Sequence, residues 1–361
     1  MGQLWGAVMN FDLADQADKF VMLLGGLIAF VVLVGGLLLV LDVIPTKLAE
    51  RREARLAAAA EAGAPIPAGA ARGREGWLAF GFLAPALLLL SIGLIFPAIR
   101  TTILSFMNGN STEWVGFDNY TWMFGQPDIQ NVLLNTLVWV LVVPALAATI
   151  GLLYAIMVDK ARGEAVAKAL IFLPMAISFV GASIIWKFVY AYRSGEQDQI
   201  GLLNQIVVWF GGEPKQWLLE EGFKLNTLLL IVIMIWIQAG FAMVILSAAI
   251  KAIPAEIVEA ARIDGTNAWQ MFWRITLPAI RPALIVVVVT ITIATLKVFD
   301  IVRTMTNGNY DTSVIANEMY NQSFRYGETG HGSALAVFLF VLVIPIVIFQ
   351  IRNIRKQRSE A

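Results

Sequence analysis

The stretch EAARIDGTNAWQMFWRITLP, residues 259–278, lies between two long runs of Leu, Ile and Val, at 225–250 and 282–302, and is too polar to belong to either. Runs of that kind recur along the chain and decide which solvent it is built for. Of 361 residues, 58% are hydrophobic and only 14% charged, and the mean hydropathy is +0.73. That composition lies well outside the soluble range and predicts an all-α polytopic membrane protein. A formal net charge of zero argues against nucleic acid as a partner. With no cysteine and a single histidine, His331, a disulfide framework, a thiolate nucleophile and a cysteine metal site are excluded, and imidazole chemistry nearly so. No metal site is expected.

A helix needs about 20 apolar residues to cross roughly 30 Å of hydrocarbon. Seven stretches meet that length, at 20–44, 77–99, 132–158, 169–190, 225–250, 282–302 and 333–351. The first follows the acidic FDLADQADKF and is too long and too late for a cleaved signal peptide. Basic residues resist translocation, so their distribution sets the orientation. Lys47, Arg51, Arg52, Arg55, Arg72 and Arg74 follow the first span; Lys160, Arg162 and Lys168 lie in the next loop on that side. Lys251, Arg262, Arg274 and Arg281 lie in the quoted loop, and Arg352, Arg355, Lys356 and Arg358 in the tail. The opposite loop, TTILSFMNGNSTEWVGFDNYTWMFGQPDIQ, has no basic residue. This places the amino terminus outside and the carboxyl terminus in the cytoplasm. Three parts follow: an N-terminal helix with a short external start, 1–45; an Ala- and Arg-rich cytoplasmic linker, 46–76; and a six-helix membrane core, 77–361, with the cytoplasmic loop 251–281.

Within that loop, Pro254 suits the first turn of a short helix over about 255–263. Asp264 and Gly265 end it, glycine accepting a left-handed cap without steric cost. Thr266 is the expected cap of a second short helix, which Trp269, Phe272 and Trp273 are available to hold, and Pro278 is expected to break the chain before the next span. Glu256 and Glu259 share a face, and Ala260 and Ala261 are small enough for a partner to come close. From these residues alone, a helix lying at the lipid interface is an equal alternative.

Glu259, Ala260 and Ala261, then three residues, Gly265, then nine residues, Ile275, Leu277 and Pro278 match the E-A-A, G, I-x-L-P spacing of permease subunits of binding-protein-dependent ABC importers, and the chain resembles that family. WVGFDNYTWMF (114–124), LLNTLVWVL (133–141), GLLNQIVVWFG (201–211), IQAGFAMVILSAAIKAIPAEIVEAARIDG (237–265) and GSALAVFLFVLVIPIVI (332–348) extend the likeness to the carbohydrate branch, similar to the larger maltose-type subunit. The first span and linker resemble alpha-glucoside permeases. The resemblance implies a sugar permease of the bacterial cytoplasmic (inner) membrane, paired with a second permease, two ATPase subunits and an extracytoplasmic sugar-binding protein. Its solute would be an oligosaccharide of the maltose, trehalose or sucrose class. The elbow would couple to the ATPase, with Glu259 as charged contact beside Glu256, Ala260 and Ala261 as the close-approach surface, and Gly265 setting the angle. The family's Thr-x-Gly-Gly-Pro reads Thr306, Asn307, Gly308, Asn309, Tyr310 here, and the loop at about 191–224 is too short for a large external domain.

The chain has no G-x-x-x-x-G-K-[ST] phosphate loop, so no cofactor is expected on it, and ATP with Mg belongs to the partner subunit; the chain is not an enzyme by itself. Polar, small or aromatic residues in the last spans are the solute-path candidates: Trp236, Gln238, Gly240, Met243, Thr295, Lys297 and Asp300. For several a packing role competes. Lys297 and Asp300 could neutralise each other, Gln238 and Asn135 could bond helix to helix, and Trp139, Trp186 and Trp236 could pack. An ion-coupled secondary transporter would need intramembrane carboxylates or paired broken helices, which the sequence does not display. A membrane scaffold gives no reason for the elbow.

Overall fold

In the computed structural model, the described residues are Gly36, 83–159, 163–194, 197–220 and 222–360. The linker and, apart from Gly36, the first span therefore lie outside the described residues. The chain divides into two compact units, Met1–Ala98 and Ile99–Ala361. Among the described residues the structure is helical, with no strand beyond one isolated bridge between Met107 and Trp114. The helices are α1 (Leu83–Leu104), α2 (Asp118–Gly125), α3 (Pro127–Val158), α4 (Glu164–Phe172), α5 (Phe179–Val189) and α6 (Leu202–Trp209). Then come α7 (Leu225–Lys251), α8 (Ala255–Ile263), α9 (Ala268–Met271), α10 (Leu277–Leu296), α11 (Asp300–Met305), α12 (Ile315–Tyr320) and α13 (Thr329–Glu360).

Five helices among the described residues are long and apolar enough to cross a membrane, or six if α4 and α5 are one broken span. That agrees with a polytopic protein; the full count of seven would include the span at 20–44. The expected span at 169–190 is not straight. Its two arms, Glu164–Ala176 and Phe179–Val189, meet at 102°. Pro174 lies in the 3-10 turn Leu173–Ala176, Ile177 is extended, and Ser178 caps the second arm by accepting from Gly181 N at 3.1 Å. Proline has no amide to continue the helix, and the cap starts a new one.

The expected span at 282–302 is also displaced. Helix runs continuously from Ala268 to Leu296, through a π turn at Phe272–Thr276. Pro278 therefore does not break the chain; it follows directly on the π turn, inside the continuous helix. Pro282 lies inside that helix instead of opening it. The span stops at Leu296 with Lys297 as its cap, and α11 begins afresh at Asp300.

The core forms around α3 and α7, which pack along much of their length, with α10 against both. Neither helix shows one polar face, as expected for helices with apolar surroundings on all sides. Small residues set the approach. A Cβ built on Gly151 would stand 2.8 Å from Met243 N and 2.9 Å from Ala239 O. Where lipid tails are as apolar as leucine, such backbone proximity and dense packing hold helices together. Trp139, Val143, Leu230, Met234, Met243, Leu246 and Ile291 fill the space around this crossing.

Gly240 works in the same way on the next contact: a Cβ there would lie 2.6 Å from Ile171 O of α4. Gly240→Val should therefore force α4 and α7 apart and cost about 1–3 kcal/mol. The expected readout is a lower thermal midpoint of the detergent-solubilised protein; an unchanged midpoint would show that the contact can relax freely.

Candidate functional site

The elbow between α7 and α10 is a built structure. Helix α8 ends in a full Schellman cap: Gly265, at φ +77°, donates its N–H to Arg262 O at 3.1 Å, and Thr266 donates its own to Ala261 O at 3.1 Å. A Cβ on Gly265 would touch nothing within 4 Å, so glycine is required there for its backbone angle and not for space. Thr266 does not cap the second helix as expected from sequence. Its hydroxyl donates back to Ala261 O at 2.7 Å. Asn267 takes the cap instead, in a box in which its side chain accepts from Gln270 N at 2.8 Å and Gln270 Oε1 accepts from Asn267 N at 3.1 Å.

The surface of the elbow is apolar and acidic together. Ile263 is 86% and Trp269 70% exposed, with Ile257 and Trp273 also outward. Trp273 meets Trp269 and Phe272 edge to face, so the three aromatic rings brace each other. Glu256, Glu259 and Ala260 are exposed, and among the described residues neither glutamate has an ion-pair partner. Ala261 differs from the expectation: at 5% exposure it faces inward, which leaves Ala260 as the small outward residue. Ile275 and Leu277 are half-buried, and Pro278, the second residue of α10, is exposed.

At the opposite end of α3 and α7, polar side chains gather the loop 306–314. Asn135, fully buried, donates to Asp311 O at 2.6 Å and Ser313 O at 2.9 Å and accepts from Lys224 Nζ at 2.8 Å. Lys224 also donates to Asn131. Asn226 reaches Tyr310 O at 2.6 Å, and the Thr136 hydroxyl accepts from Ile315 N at 3.0 Å. The loop needs this support. Asn307, Gly308, Tyr310 and Asp311 all have positive φ, which L side chains adopt at a cost. Asn131 and Asn135 stand four apart on one helical face, a spacing that could have revealed them together; Lys224 and Asp311 give no such signal.

The solute-path candidates do not form one surface. Met243 and Thr295 are fully buried within this chain, and the Thr295 hydroxyl donates to Ile291 O of its own helix at 2.7 Å. Gly240 is a packing contact against α4. Trp236 meets Trp186 edge to face at 5.8 Å in the core. Gln238 is buried and makes no hydrogen bond among the described residues, and Asn135 ties its helix to the loop 306–314 and to Lys224, so neither bonds one helix directly to another. Lys297 and Asp300 form no ion pair among the described residues. They straddle the break between α10 and α11, so the one-turn spacing that would align them on a continuous helix is lost. Lys297 is exposed and Asp300 half-exposed at that break.

Near the same break, Arg303 lies 4.6 Å above the Tyr320 ring and donates to Asn321 Oδ1 at 3.0 Å, a pair of contacts the sequence reading missed. Among the described residues no group of three or more His, Asp or Glu could hold a metal. His331 stacks flat on Trp122, with ring centres 3.8 Å apart, and so has a packing role.

A family model described as binding-protein-dependent transport system inner membrane component matches residues 147–359. The chain is 52% identical over 278 residues to the osmoprotective compounds uptake permease protein GgtC of Synechocystis sp., spanning 77% of this chain and 99% of that one. It is 49% identical over 282 residues to the alpha-glucoside transport system permease protein AglF of Rhizobium meliloti, spanning 78% of this chain and 82% of that one. Among solved structures, it is similar in fold to a chain of a bacterial ABC transporter involved in the import of the acidic polysaccharide alginate. That match has a TM-score of 0.68 at 24% identity and covers 78% of this chain and 96% of the other.

Asn135→Ala should loosen the loop 306–314 by removing the donor to Ser313 O and leaving Asp311 O and the Lys224 ammonium with Asn131 alone, at a cost of about 1–3 kcal/mol. Faster amide hydrogen exchange confined to that loop is the expected result. Protection equal to that of the parent would show that Asn226 and Thr136 hold the loop without it.

Proposed function

Because the chain belongs to the family of binding-protein-dependent transport system inner membrane components, we propose that it is a permease subunit of an ATP-driven sugar importer. Its solute is an oligosaccharide of the α-glucoside class, such as maltose, trehalose or sucrose. The chain forms half of the translocation path and pairs with a second permease. Two ATPase subunits bind below, carrying ATP and Mg, and an extracytoplasmic binding protein delivers the sugar from above. The amino terminus is outside and the carboxyl terminus in the cytoplasm, as the basic loops favour.

One observation carries this reading: a doubly capped elbow on which Glu259, Ala260 and Gly265 of the motif face outward. An interfacial helix favours Lys and Arg on its polar face, where they meet anionic lipid. This one presents Glu256 and Glu259, unpaired among the described residues, beside Ile263 and Trp269, a mixture that suits the cleft of a protein partner. Glu259 is the charged contact and Ala260 the close-approach residue, while Ala261 anchors α8 to its own chain. Swinging a two-state carrier from 1:99 to 99:1 takes about 5.5 kcal/mol of differential binding. A rigid cap transmits such a bias better than a floppy turn. The choice of an α-glucoside rests on the relative named for that transport at 49% identity.

Affinity purification from the native membrane tests the assembly. The expected result is recovery of an ATPase whose hydrolysis rises when a solute-binding protein loaded with an α-linked disaccharide is added. A chain recovered without an ATPase, under conditions that preserve comparable complexes, overturns the reading. In the assembled complex, Gly265→Val places a β-branched residue at positive φ, a strain of about 1–2 kcal/mol. It should leave the protein in the membrane while ATP hydrolysis proceeds without matching sugar uptake, measured in proteoliposomes. Normal coupled uptake would remove the elbow's role.

A further inference from the structure

Next to the elbow lies a charge cluster that the coupling motif does not include. Glu164, the first residue of α4, accepts on one carboxylate oxygen from Lys168 Nζ and from Lys251 Nζ, each at 2.5 Å. Lys251 is the last residue of α7 and also stands 3.5 Å from Asp159, which caps α3. Lys168 donates in addition to the Ser247 hydroxyl, one turn before Lys251. Each charge suits its place: Glu164 at a helix N-terminus, Lys251 at a C-terminus, and Glu before Lys at one-turn spacing. Two anions and two cations thus tie together the ends of three helices.

Stability does not explain the cluster. Its side chains are between 21% and 48% exposed, and ion pairs at such exposure contribute little to folding. Position does. Three residues beyond Lys251 stands Pro254, the cap of α8 and the start of the elbow. In the other direction, α4 leads through the turn at Pro174 into the 102° bend and α5.

Helix α4 already touches α7 at Gly240, where the backbone approaches Ile171. Gly240 and Lys251 are 11 positions apart, about 16 Å along a helix. One contact alone would let α4 pivot on α7. These two contacts, with the Lys168–Ser247 bond between them, fix the angle of α4 on α7, and Glu164–Lys251 is the one at the elbow end, so α4 must follow when α7 moves.

We propose that the Glu164–Lys251 pair is the joint that delivers displacement of the elbow to the bent pair α4–α5. Both are positioning residues: they act through the helices they tie and touch no solute. The proposal rests on the importer reading, and a complex whose parent form shows no hydrolysis stimulated by a binding protein overturns both.

With stimulation established in the parent complex, Glu164→Gln should leave the unstimulated hydrolysis of the ATPase in place. It should lower the stimulation and the ratio of uptake to hydrolysis by about tenfold, with little change in thermal midpoint. The absence of cysteine from the natural chain allows a second variant, Glu164→Cys with Lys251→Cys. Open, it should be uncoupled; bridged by a short bifunctional thiol reagent, it should regain stimulation. A parent-like ratio in Glu164→Gln overturns the joint. So does a loss that tracks a fallen midpoint and is not restored by the bridge, since that pattern marks a merely structural contact.

Discussion

The close crossing of α3 and α7 is the constraint on which the other helices depend. At Gly151 there is no room for a side chain, because Met243 N would lie 2.8 Å from its Cβ. Within a bilayer there is no water to expel from between two apolar helices, so contact must come from packing itself. Once this pair is formed, it offers surfaces to both sides. Helix α10 packs on both members, and α4 takes the second glycine contact at Gly240. The long helices can also contain proline. Pro144 in α3 and Pro345 in α13 lie inside continuous helix, as membrane helices in general tolerate.

The same constraint decides where helix is allowed to stop. Backbone polar groups have no solvent partner at membrane depth, so breaks need a protein partner close by. The bend between α4 and α5 is supplied by Ser178, which caps the second arm. At the end of α10, Val298 N donates to Thr295 O at 3.0 Å and Arg303 N to Phe299 O at 2.8 Å, so the chain changes direction with few free groups. The left-handed loop after α11 is the largest such departure. Asn135, Asn226 and Thr136 reach it from α3 and α7 and take up its carbonyls and an amide. The crossing pair is thus both the core and the source of hydrogen bonds for the irregular segments.

Much of this is legible in the sequence, and what is not has a common cause. Apolar length gives the spans because the hydrocarbon thickness is fixed, and the fifth stretch ends within one residue of α7. Gly265 is readable because a left-handed cap leaves few choices of residue. Positions that depend on tertiary neighbours are not readable in that way. Gly240 is small and lies among candidate solute-path residues, but its neighbour is the backbone of Ile171. Lys297 and Asp300 have the spacing of a helical ion pair, yet the helix ends between them. The shift of the cap from Thr266 to Asn267 has a local reason: the hydroxyl is already engaged with Ala261 O, and Gln270 completes a box only with Asn267.

Met243 and Thr295 are wholly buried inside a single chain. Residues that pack wholly within one subunit hold its shape. Residues left open at a break in a helix have unspent polar capacity, and Lys297 and Asp300 have both exposure and charge free of a partner among the described residues. Arg303 is already engaged with Tyr320 and Asn321, so it steadies this break without being free for a ligand. Charge left uncompensated near membrane depth is costly and is kept where it faces a cavity or a partner. The break between α10 and α11 is therefore where charge without an ion-pair partner among the described residues is kept, while Met243 and Thr295 beside it are packed within the chain.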